Sequence, residues 1–421
     1  MRGLILSVRI LTALSATLLL YACSDESPDE RLDRIASTYV ELSMHLDRLR
    51  PGEIDVWFGP ERLDSRGTAS ESSFELIAEA AAEMSDELGN ELSLRGARLK
   101  QRIVELEAVA AYLAAPTKMS YAEQTTALYD VPWIDTERSL IDASLAEIDQ
   151  SLPGRGSVRA RMASLRRRLV IPAEQRQIVF QAALDECRRR TLTNWELPED
   201  ESIELIWTRD VDAAWHRFDG KARSTLWVNP LAVATIDQSL DLACHETYPG
   251  HHAQFVLFEL SAPDASLALE DQLVLLRSPV SAFREAAAMN AVHMVFTAEE
   301  RTQFEREVLF PLAGLKPEDA DLLYRIRPHL EQVALAIPLI IRDHEDRELS
   351  DAEALNRLQS EALVASPRAL FAFAHEVGAL LAGYTILNAE LASHLQGRTK
   401  SEAWASLRRA LENPRQWREA L

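Results

Sequence analysis

The spacing of apolar residues in the first half of the chain narrows its possible folds more than any other feature. Two stretches, the second more loosely than the first, repeat an apolar residue every three or four positions, the period of a helix with one buried face. They are Leu32, Ile35, Tyr39, Leu42 and Leu46, and then Leu92, Leu94, Leu99, Ile103, Leu106, Val109 and Leu113. Glycine is scarce, with 14 in 421 residues, and no series of strand–helix units with glycine-rich turns is visible. The sequence therefore predicts an all-α, mostly helical body.

Near residue 201 the composition changes to one typical of strands. Ile203–Trp207 and Ser224–Asn229 are rich in β-branched and aromatic residues, and they flank a polar loop that contains Asp219-Gly220. This pattern predicts a small β-hairpin with a long loop. Helical patterns follow in 231–260, with one interruption, and in 267–298, 299–312, 317–348, 350–365, 367–396 and 400–412. No internal repeat or low-complexity linker is visible, so we expect one large domain over residues 31–421.

The N-terminal residues resemble a secretory signal. Residues 1–22 carry two arginines, no acidic residue and an apolar stretch that is short for a membrane span. They end at Leu20-Tyr21-Ala22-Cys23, which is similar to a bacterial lipobox. We therefore expect lipidation of Cys23, a polar tether over residues 23–30 and a periplasmic, outer-membrane location, since Ser24 follows the cysteine. The alternative is an ordinary cleaved signal with Cys23 as a bystander.

The net charge of −21 bears on the partners of the chain. A strongly acidic protein repels phosphate backbones, so nucleic acid is not an expected partner. The runs Arg166–Arg168 and Arg188–Arg190 are short, and we interpret them as solvated helix faces. The only membrane contact that we expect is through the lipid anchor. Nothing in the sequence predicts an oligomeric state.

Two cysteines remain after Cys23. Cys187 and Cys244 could form a disulfide in an oxidising compartment. Whether their α-carbons approach closely enough is not visible in a sequence. A pair of buried thiols is an equal alternative.

Three of the ten histidines lie within eight positions, in His245-Glu246-Thr247-Tyr248-Pro249-Gly250-His251-His252. Neutral imidazoles are good ligands for Zn²⁺. A glutamate beside such a ligand can take a proton from water on the metal and pass it to a leaving group. The cluster therefore predicts a Zn²⁺ site of a hydrolase, with Glu246 as the general base. The alternative is a buried polar network with no metal.

The spacing within this cluster departs from the common H-E-x-x-H helix, because the position four after His245 is Pro249. Proline cannot donate the intrahelical bond to the His245 carbonyl, and Gly250 adds freedom, so the helix is expected to break there. Either His251 or His252 could then reach the metal. We favour His251, since a two-residue expansion of H-E-x-x-H places a ligand there. The isolated histidines are expected to have surface or core roles; they are His216, His293, His329, His375 and His394.

The segment 245–254 reads H-E-T-Y-P-G-H-H-A-Q and resembles the H-E-x-x-P-G-H-H-x-Q signature of the bacterial domain-of-unknown-function family 885. Asn229-Pro230 is similar to the segment that precedes this signature in the family. The family resembles helical zinc metallopeptidases of the gluzincin kind, and many members look like lipoproteins. The resemblance implies a zinc metallopeptidase that acts on a peptide or a related amide.

The resemblance also implies a third metal ligand. Gluzincin-like enzymes take it from a glutamate on a later helix, where the family has F-x-E-G-W-A-L-Y-A-E. In this chain 283–292 reads F-R-E-A-A-A-M-N-A-V, so Glu285 keeps the carboxylate. Ala286 and Ala287 replace the Gly-Trp pair, and Val292 replaces the second glutamate. Such changes bear on activity, because neighbouring side chains orient metal ligands.

Two further residues are implied by weaker matches to the same family. Arg342-Asp343-His344 lies where the family has D-x-G-L-H, and 377–384 resembles its P-G-Q-A-x-x-Y segment without the glutamine. Tyr384 or His344 could therefore donate a hydrogen bond to the oxyanion that develops during hydrolysis.

The sequence leaves three functions open. The leading hypothesis is zinc-assisted hydrolysis of a peptide or related amide bond. A second is a degenerate family member that binds a peptide or cell-envelope fragment without cleaving it, which the changes at Ala286, Ala287 and Val292 favour. A third is a metal hydrolase that acts on a non-peptide amide or ester.

Overall fold

A computed structural model describes residues 26–60, 73–91, 93–262 and 267–421. Residues 1–25, with the expected signal and Cys23, lie outside the described residues. Within the described part, the protein is a mostly helical single domain with one two-stranded and one three-stranded sheet. The predicted fold class is confirmed.

The helices of the first half are α1 (Pro28–Leu49), α2 (Phe74–Leu88), α3 (Leu94–Ala114), α4 (Tyr121–Tyr129), α5 (Arg138–Ser151), α6 (Val158–Arg168) and α7 (Arg176–Leu192). Those of the second half are α8 (Ile236–Glu246), α9 (His251–Leu260), α10 (Pro279–Met289), α11 (Ala291–Val295), α12 (Ala298–Phe304), α13 (Phe310–Ala313), α14 (Asp321–Ala334), α15 (Ala336–Glu345), α16 (Asp351–Ser360), α17 (Pro367–Val377), α18 (Asn388–Leu395), α19 (Lys400–Glu412) and α20 (Trp417–Ala420). The strands are β1 (Ile54–Trp57), β2 (Ser202–Trp207), β3 (Ala214–Gly220), β4 (Arg223–Val228) and β5 (Leu273–Leu275).

Helix α1 shows how local sequence sets a helix start. The Ser27 hydroxyl accepts from the Glu30 backbone N–H at 3.3 Å, and the Glu30 carboxylate accepts from the Ser27 backbone N–H at 2.9 Å. This capping box satisfies two amides that the helix itself cannot pair. The helix therefore begins inside the predicted tether of residues 23–30. Its predicted apolar face is buried, as Ile35 and Tyr39 show.

The three-stranded sheet corrects the predicted hairpin. The two predicted strands, β2 and β4, run parallel, and β3 lies where a loop was expected and pairs antiparallel with β4. Along β3 the residues Ala214, His216 and Phe218 point inward, while Trp215 and Arg217 are exposed. That alternation is the period of a half-buried strand. The polar composition of the segment concealed this period.

The turn between β3 and β4 ties the sheet to helix α9. Lys221 and Ala222 have φ values of 55° and 54°, which residues with a side chain rarely adopt. Both backbone N–H groups donate to the carboxylate of Glu259 on α9, each at 2.8 Å. The sheet is thereby fixed beside the helix that carries His251.

The predicted interruption in the 231–260 segment is confirmed. Helix α8 ends at Glu246 and α9 begins at His251. Gly250 is required between them, because an added Cβ would lie 1.7 Å from the carbonyl oxygen of His245. The backbone therefore folds back tightly on the end of α8.

The predicted helix over 267–298 contains a strand. Leu273–Leu275 forms β5, which pairs antiparallel with β1, and α10 starts only at Pro279. A short apolar run of this kind cannot be assigned to helix or strand by periodicity alone. The pairing joins residues 54–57 to residues 273–275, far apart in the sequence, and shifts register beside Asp55.

Helices α7 and α8 are joined covalently. Cys187 and Cys244 form a disulfide with their α-carbons 5.6 Å apart. This result decides a question that the sequence left open. Because Cys244 directly precedes His245, the bond also anchors the helix end that presents this histidine.

In the part of the chain that the structure describes, no single helix combines the length and apolar character needed to cross a membrane. The bent pair Pro367–Leu380 and Gly383–Leu395 meets those two criteria only when its members are taken together, across a bend of 83°.

We predict that replacing both Cys187 and Cys244 with alanine lowers the free energy of unfolding by about 2–4 kcal/mol, because the unfolded chain regains the freedom of a long closed loop. Urea unfolding of the oxidised protein and the double variant measures the difference. Reduced wild-type protein should match the variant. Equal stability of oxidised protein and variant would contradict a formed disulfide.

Candidate metal centre

Three side chains from three helices converge on one point. His245 lies in the last turn of α8, His251 is the first residue of α9, and Glu285 lies in the middle of α10. The two imidazole Nε2 atoms are 3.2 Å apart. The carboxylate of Glu285 places one oxygen 3.4 Å from Nε2 of His245 and the other 3.5 Å from Nε2 of His251. The three residues could hold a metal ion.

The separations fit a tetrahedral zinc site. Two ligand atoms at about 2.1 Å from zinc lie about 3.4 Å apart at a tetrahedral angle. The observed values of 3.2, 3.4 and 3.5 Å agree with that edge. In addition, Oε2 of Glu285 is buried and accepts no hydrogen bond from the described residues. A cation between these groups would satisfy lone pairs that otherwise face one another.

The pKa values of His251 and Glu285 indicate which of these groups is charged when no metal is bound. Burial lowers the pKa of His251, but the negative charge of Glu285 outweighs it and raises that pKa to about 9. Burial likewise raises the pKa of Glu285, but the charge of His251 outweighs it and holds the value well below its ordinary range. The pair is therefore ionised at neutral pH, and a metal must displace the His251 proton in order to bind.

Glu246 and Tyr384 lie beside the three convergent groups. Glu246 is buried at the end of α8, its carboxylate forms no hydrogen bond with another described residue, and its charge acts on His251. The Tyr384 ring stacks on His245, with centroids 6.4 Å apart. Burial and the charge of Glu285 raise the pKa of Tyr384 well above its ordinary value, so its hydroxyl keeps its proton.

Tyr384 reaches this position through a close helix contact. It follows Gly383 in a π-helical turn that runs from Gly383 to Leu387. A Cβ on Gly383 would lie 2.9 Å from the carbonyl oxygen of Ala282 on α10. Glycine thus lets the two backbones approach, and the next side chain enters the site.

The structure places His252 outside the convergent group. Its side chain is fully buried, with Nε2 2.9 Å from the carboxylate of Glu201 and Nδ1 2.8 Å from the hydroxyl of Ser224. Both ring nitrogens are therefore occupied by hydrogen bonds. Of the two histidines that the sequence left open, His251 is the one in position to bind metal.

Glu201 is the centre of a buried network that sequence reasoning missed. Besides His252, it accepts a hydrogen bond from the Tyr248 hydroxyl at 2.5 Å and from Arg188. Burial raises the pKa of Glu201, but hydrogen bonds from His252, Tyr248 and Arg188 outweigh it and lower the value to about 2. Nothing in the sequence around residue 201 points to this role, since its partners lie on other elements.

The network continues towards the metal centre through the sheet. His216 on β3 contacts the Ser224 hydroxyl at 2.9 Å, and its ring stacks on that of His251 with centroids 5.9 Å apart. His216 was expected to have an isolated surface or core role, but it packs against a candidate ligand.

Asp55, which accepts from the Ser281 hydroxyl at 3.0 Å, acts electrostatically on Glu285 from the other side.

His344 is not brought to this centre. Its Nε2 lies 3.0 Å from a carboxylate oxygen of Asp351, its Nδ1 lies 3.4 Å from Glu345, and its ring packs on Phe371. Of the two oxyanion donors that the family resemblance implied, the structure brings only Tyr384 to the convergent group.

No family model and no curated protein matches the chain. Among solved structures, a candidate lipoprotein from Colwellia psychrerythraea aligns over 83% of this chain and 67% of its own, with 14% identity and a TM-score of 0.50. A candidate lipoprotein of unknown function from Shewanella oneidensis aligns over 99% and 92%, with 13% identity and a TM-score of 0.41. At such identity, the likeness to the Colwellia protein shows a related fold only.

We predict that Glu201→Gln removes a pH dependence of stability. A carboxyl whose pKa is lowered from 4.5 to about 2 stabilises the fold above pH 4.5, and this contribution is lost as the pH falls to about 2. The variant should be less stable at pH 7, by on the order of 3 kcal/mol, and should converge with wild type near pH 2. Chemical denaturation of both proteins between pH 7 and pH 2 measures the difference in the free energy of unfolding.

Glu204→Gln is the matched control, because Glu204 lies three residues after Glu201, on β2, and is exposed. It should leave stability nearly unchanged. If the free energy of unfolding of Glu201→Gln and of wild type changed with pH in the same way, the carboxylate of Glu201 would not be the source of this pH dependence.

Proposed function

We propose that this protein is a zinc-dependent hydrolase of peptide or related amide bonds, anchored outside the cytoplasm by a lipid on Cys23. The convergence of His245, His251 and Glu285 at separations expected of zinc ligands carries the proposal. The anchor rests on the lipobox-like sequence at Cys23. It is supported by the description of the Colwellia protein as a candidate lipoprotein.

Zinc, Glu246 and Tyr384 would have different roles in the hydrolysis. A zinc ion, when bound, supplies positive charge that polarises a carbonyl and makes water more acidic. Glu246 has a carboxylate with no competing hydrogen bond among the described residues, so it can take a proton from water and return it to the leaving nitrogen. The protonated Tyr384 hydroxyl can donate to the carbonyl oxygen as negative charge develops there.

A second candidate is a lipoprotein that binds a peptide or cell-envelope fragment without cleaving it. Ala286, Ala287 and Val292 are buried in the core where the resembled family has glycine, tryptophan and glutamate. These changes leave Glu285 without the neighbours found in that family. The Colwellia protein is called a candidate lipoprotein, which is compatible with this role.

We predict about one zinc per chain in the reconstituted protein, with an affinity that rises roughly tenfold per pH unit between pH 6.5 and 9, because His251 must lose its proton. Glu285→Ala should weaken binding by at least about a hundredfold. Competition with a chromophoric chelator measures both. Glu331→Ala, at an exposed position of α14, is the control and should bind as wild type.

Zinc bound equally by Glu285→Ala and wild type would rule out the three-residue centre. Absence of zinc in the wild type after reconstitution would do the same.

We predict that Glu246→Gln keeps zinc but lowers peptide hydrolysis by about a hundredfold or more, since the amide preserves shape but cannot accept a proton. Cleavage of a mixed peptide library, followed by mass spectrometry, measures turnover. Undiminished hydrolysis by the variant would refute the assignment of Glu246. A zinc-loaded wild-type protein that binds library peptides without cleaving any would favour the second candidate.

A further inference from the structure

A second polar site lies on another side of α10. A partly open cavity of about 570 Å³ is lined by residues of α1, α3, α9, α10 and β5, by the segment before β5 and by the end of α19. The charged residues of its wall are five arginines and three acids: Arg95, Arg98, Arg102, Arg284 and Arg415, and Asp33, Asp271 and Glu412. None of the three candidate metal ligands lines it. The cavity is therefore separate from the metal centre.

Arg284 is the least satisfied of these residues. It is 2% exposed, and Nε, Nη1 and Nη2 all lack a hydrogen-bond partner among the described residues. Its guanidinium lies 4.1 Å from the Phe255 ring centroid and 5.0 Å from that of Phe258. Stacking on rings compensates part of the lost hydration, but it leaves all the N–H groups without acceptors. A buried cation in this state is costly unless a ligand pairs with it.

Asp55, the acid that acts electrostatically on Arg284, does not fill this role. Asp55 attracts Arg284 electrostatically, but its carboxylate accepts its hydrogen bond from Ser281. No ion pair joins Asp55 and Arg284 among the described residues. The N–H groups of Arg284 therefore have no acceptor among the described residues.

The guanidinium groups of Arg102 and Arg415 also lack hydrogen-bond partners, but only at one nitrogen each. Arg102 donates to the carbonyl of Leu273 at 3.2 Å and pairs with Asp271, and Arg415 pairs with Glu105 at 2.7 Å. In both residues Nε is buried without a partner. The ion pairs thus hold these two side chains in place and leave one donor on each unused.

We propose that this cavity binds a small organic anion, whose carboxylate or phosphate group is held by Arg284, Arg102 and Arg415. Guanidinium groups are the side chains best suited to such oxyanions, since they offer several N–H donors in a plane. The rest of the wall is partly apolar, with Phe258, Val274 and Val280. The ligand therefore carries an apolar portion as well as its charge.

The test is isothermal titration of the whole protein with hexanoate and with inorganic phosphate, at constant ionic strength and with a chelator present. The chelator prevents binding through a metal at the His245 centre. At least one probe should bind at one site per chain. Arg284→Met, which keeps an unbranched side chain between the two phenylalanines, should weaken that binding tenfold or more.

Two further variants keep the result decisive. Arg167→Met makes the same change at an exposed position of α6 and should leave binding unchanged. Arg98→Met removes an exposed guanidinium at the cavity wall without disturbing the core, and should weaken binding about two- to fivefold. Circular dichroism establishes that each variant is folded.

Binding of hexanoate alone identifies the physiological group as a carboxylate, and binding of phosphate alone identifies it as a phosphate. Failure of both probes overturns the proposal. Equal binding by wild type, Arg284→Met and Arg98→Met also overturns it, because the anion would then bind elsewhere. None of these outcomes depends on zinc or on hydrolysis.

Discussion

The tight break between α8 and α9 is the constraint on which the metal centre depends. Six positions separate His245 from His251, so on a continuous helix they would point about 120° apart and lie about 9 Å apart along the axis. The break instead brings their Nε2 atoms to 3.2 Å. Gly250 makes it possible because its backbone lies against the His245 carbonyl, where no side chain fits. The disulfide at Cys244 and the contact of Glu259 with the sheet turn hold the two helices on either side of the break.

Charge around the break is organised in two layers. Glu285 lies between the two inner imidazoles and keeps His251 protonated when no metal competes. Behind them, Glu201 and His252 form a buried pair that leaves neither imidazole nitrogen of His252 free. The same residue types therefore serve different purposes one position apart, and hydrogen-bond partners distinguish a candidate ligand from a structural residue.

Helix α10 carries both of the proposed sites on adjacent residues. Successive residues leave a helix about 100° apart, so Glu285 can face the histidines while Arg284 faces the phenylalanines of α9. The helix is buried almost throughout, which deprives both charges of water. The carboxylate of Glu285 lies beside two imidazoles, whereas the guanidinium of Arg284 has no acceptor among the described residues. Because Arg284 is the charge without a partner, we place the proposed second ligand in the cavity beside Arg284.

The sequence by itself determined the helical class, the break at Pro249-Gly250 and the identity of His245 and Glu246 as candidates, because periodicity, proline chemistry and motif spacing are local properties. Glu285 became a candidate only through the resemblance of residues 283–292 to a family segment. Only the tertiary structure decided between His251 and His252, paired the two cysteines, made β2 and β4 parallel and brought Glu201 to His252. Each of these outcomes depends on distances between atoms that belong to different elements. A linear pattern reports which face of an element is buried, but not which distant side chain it will meet there.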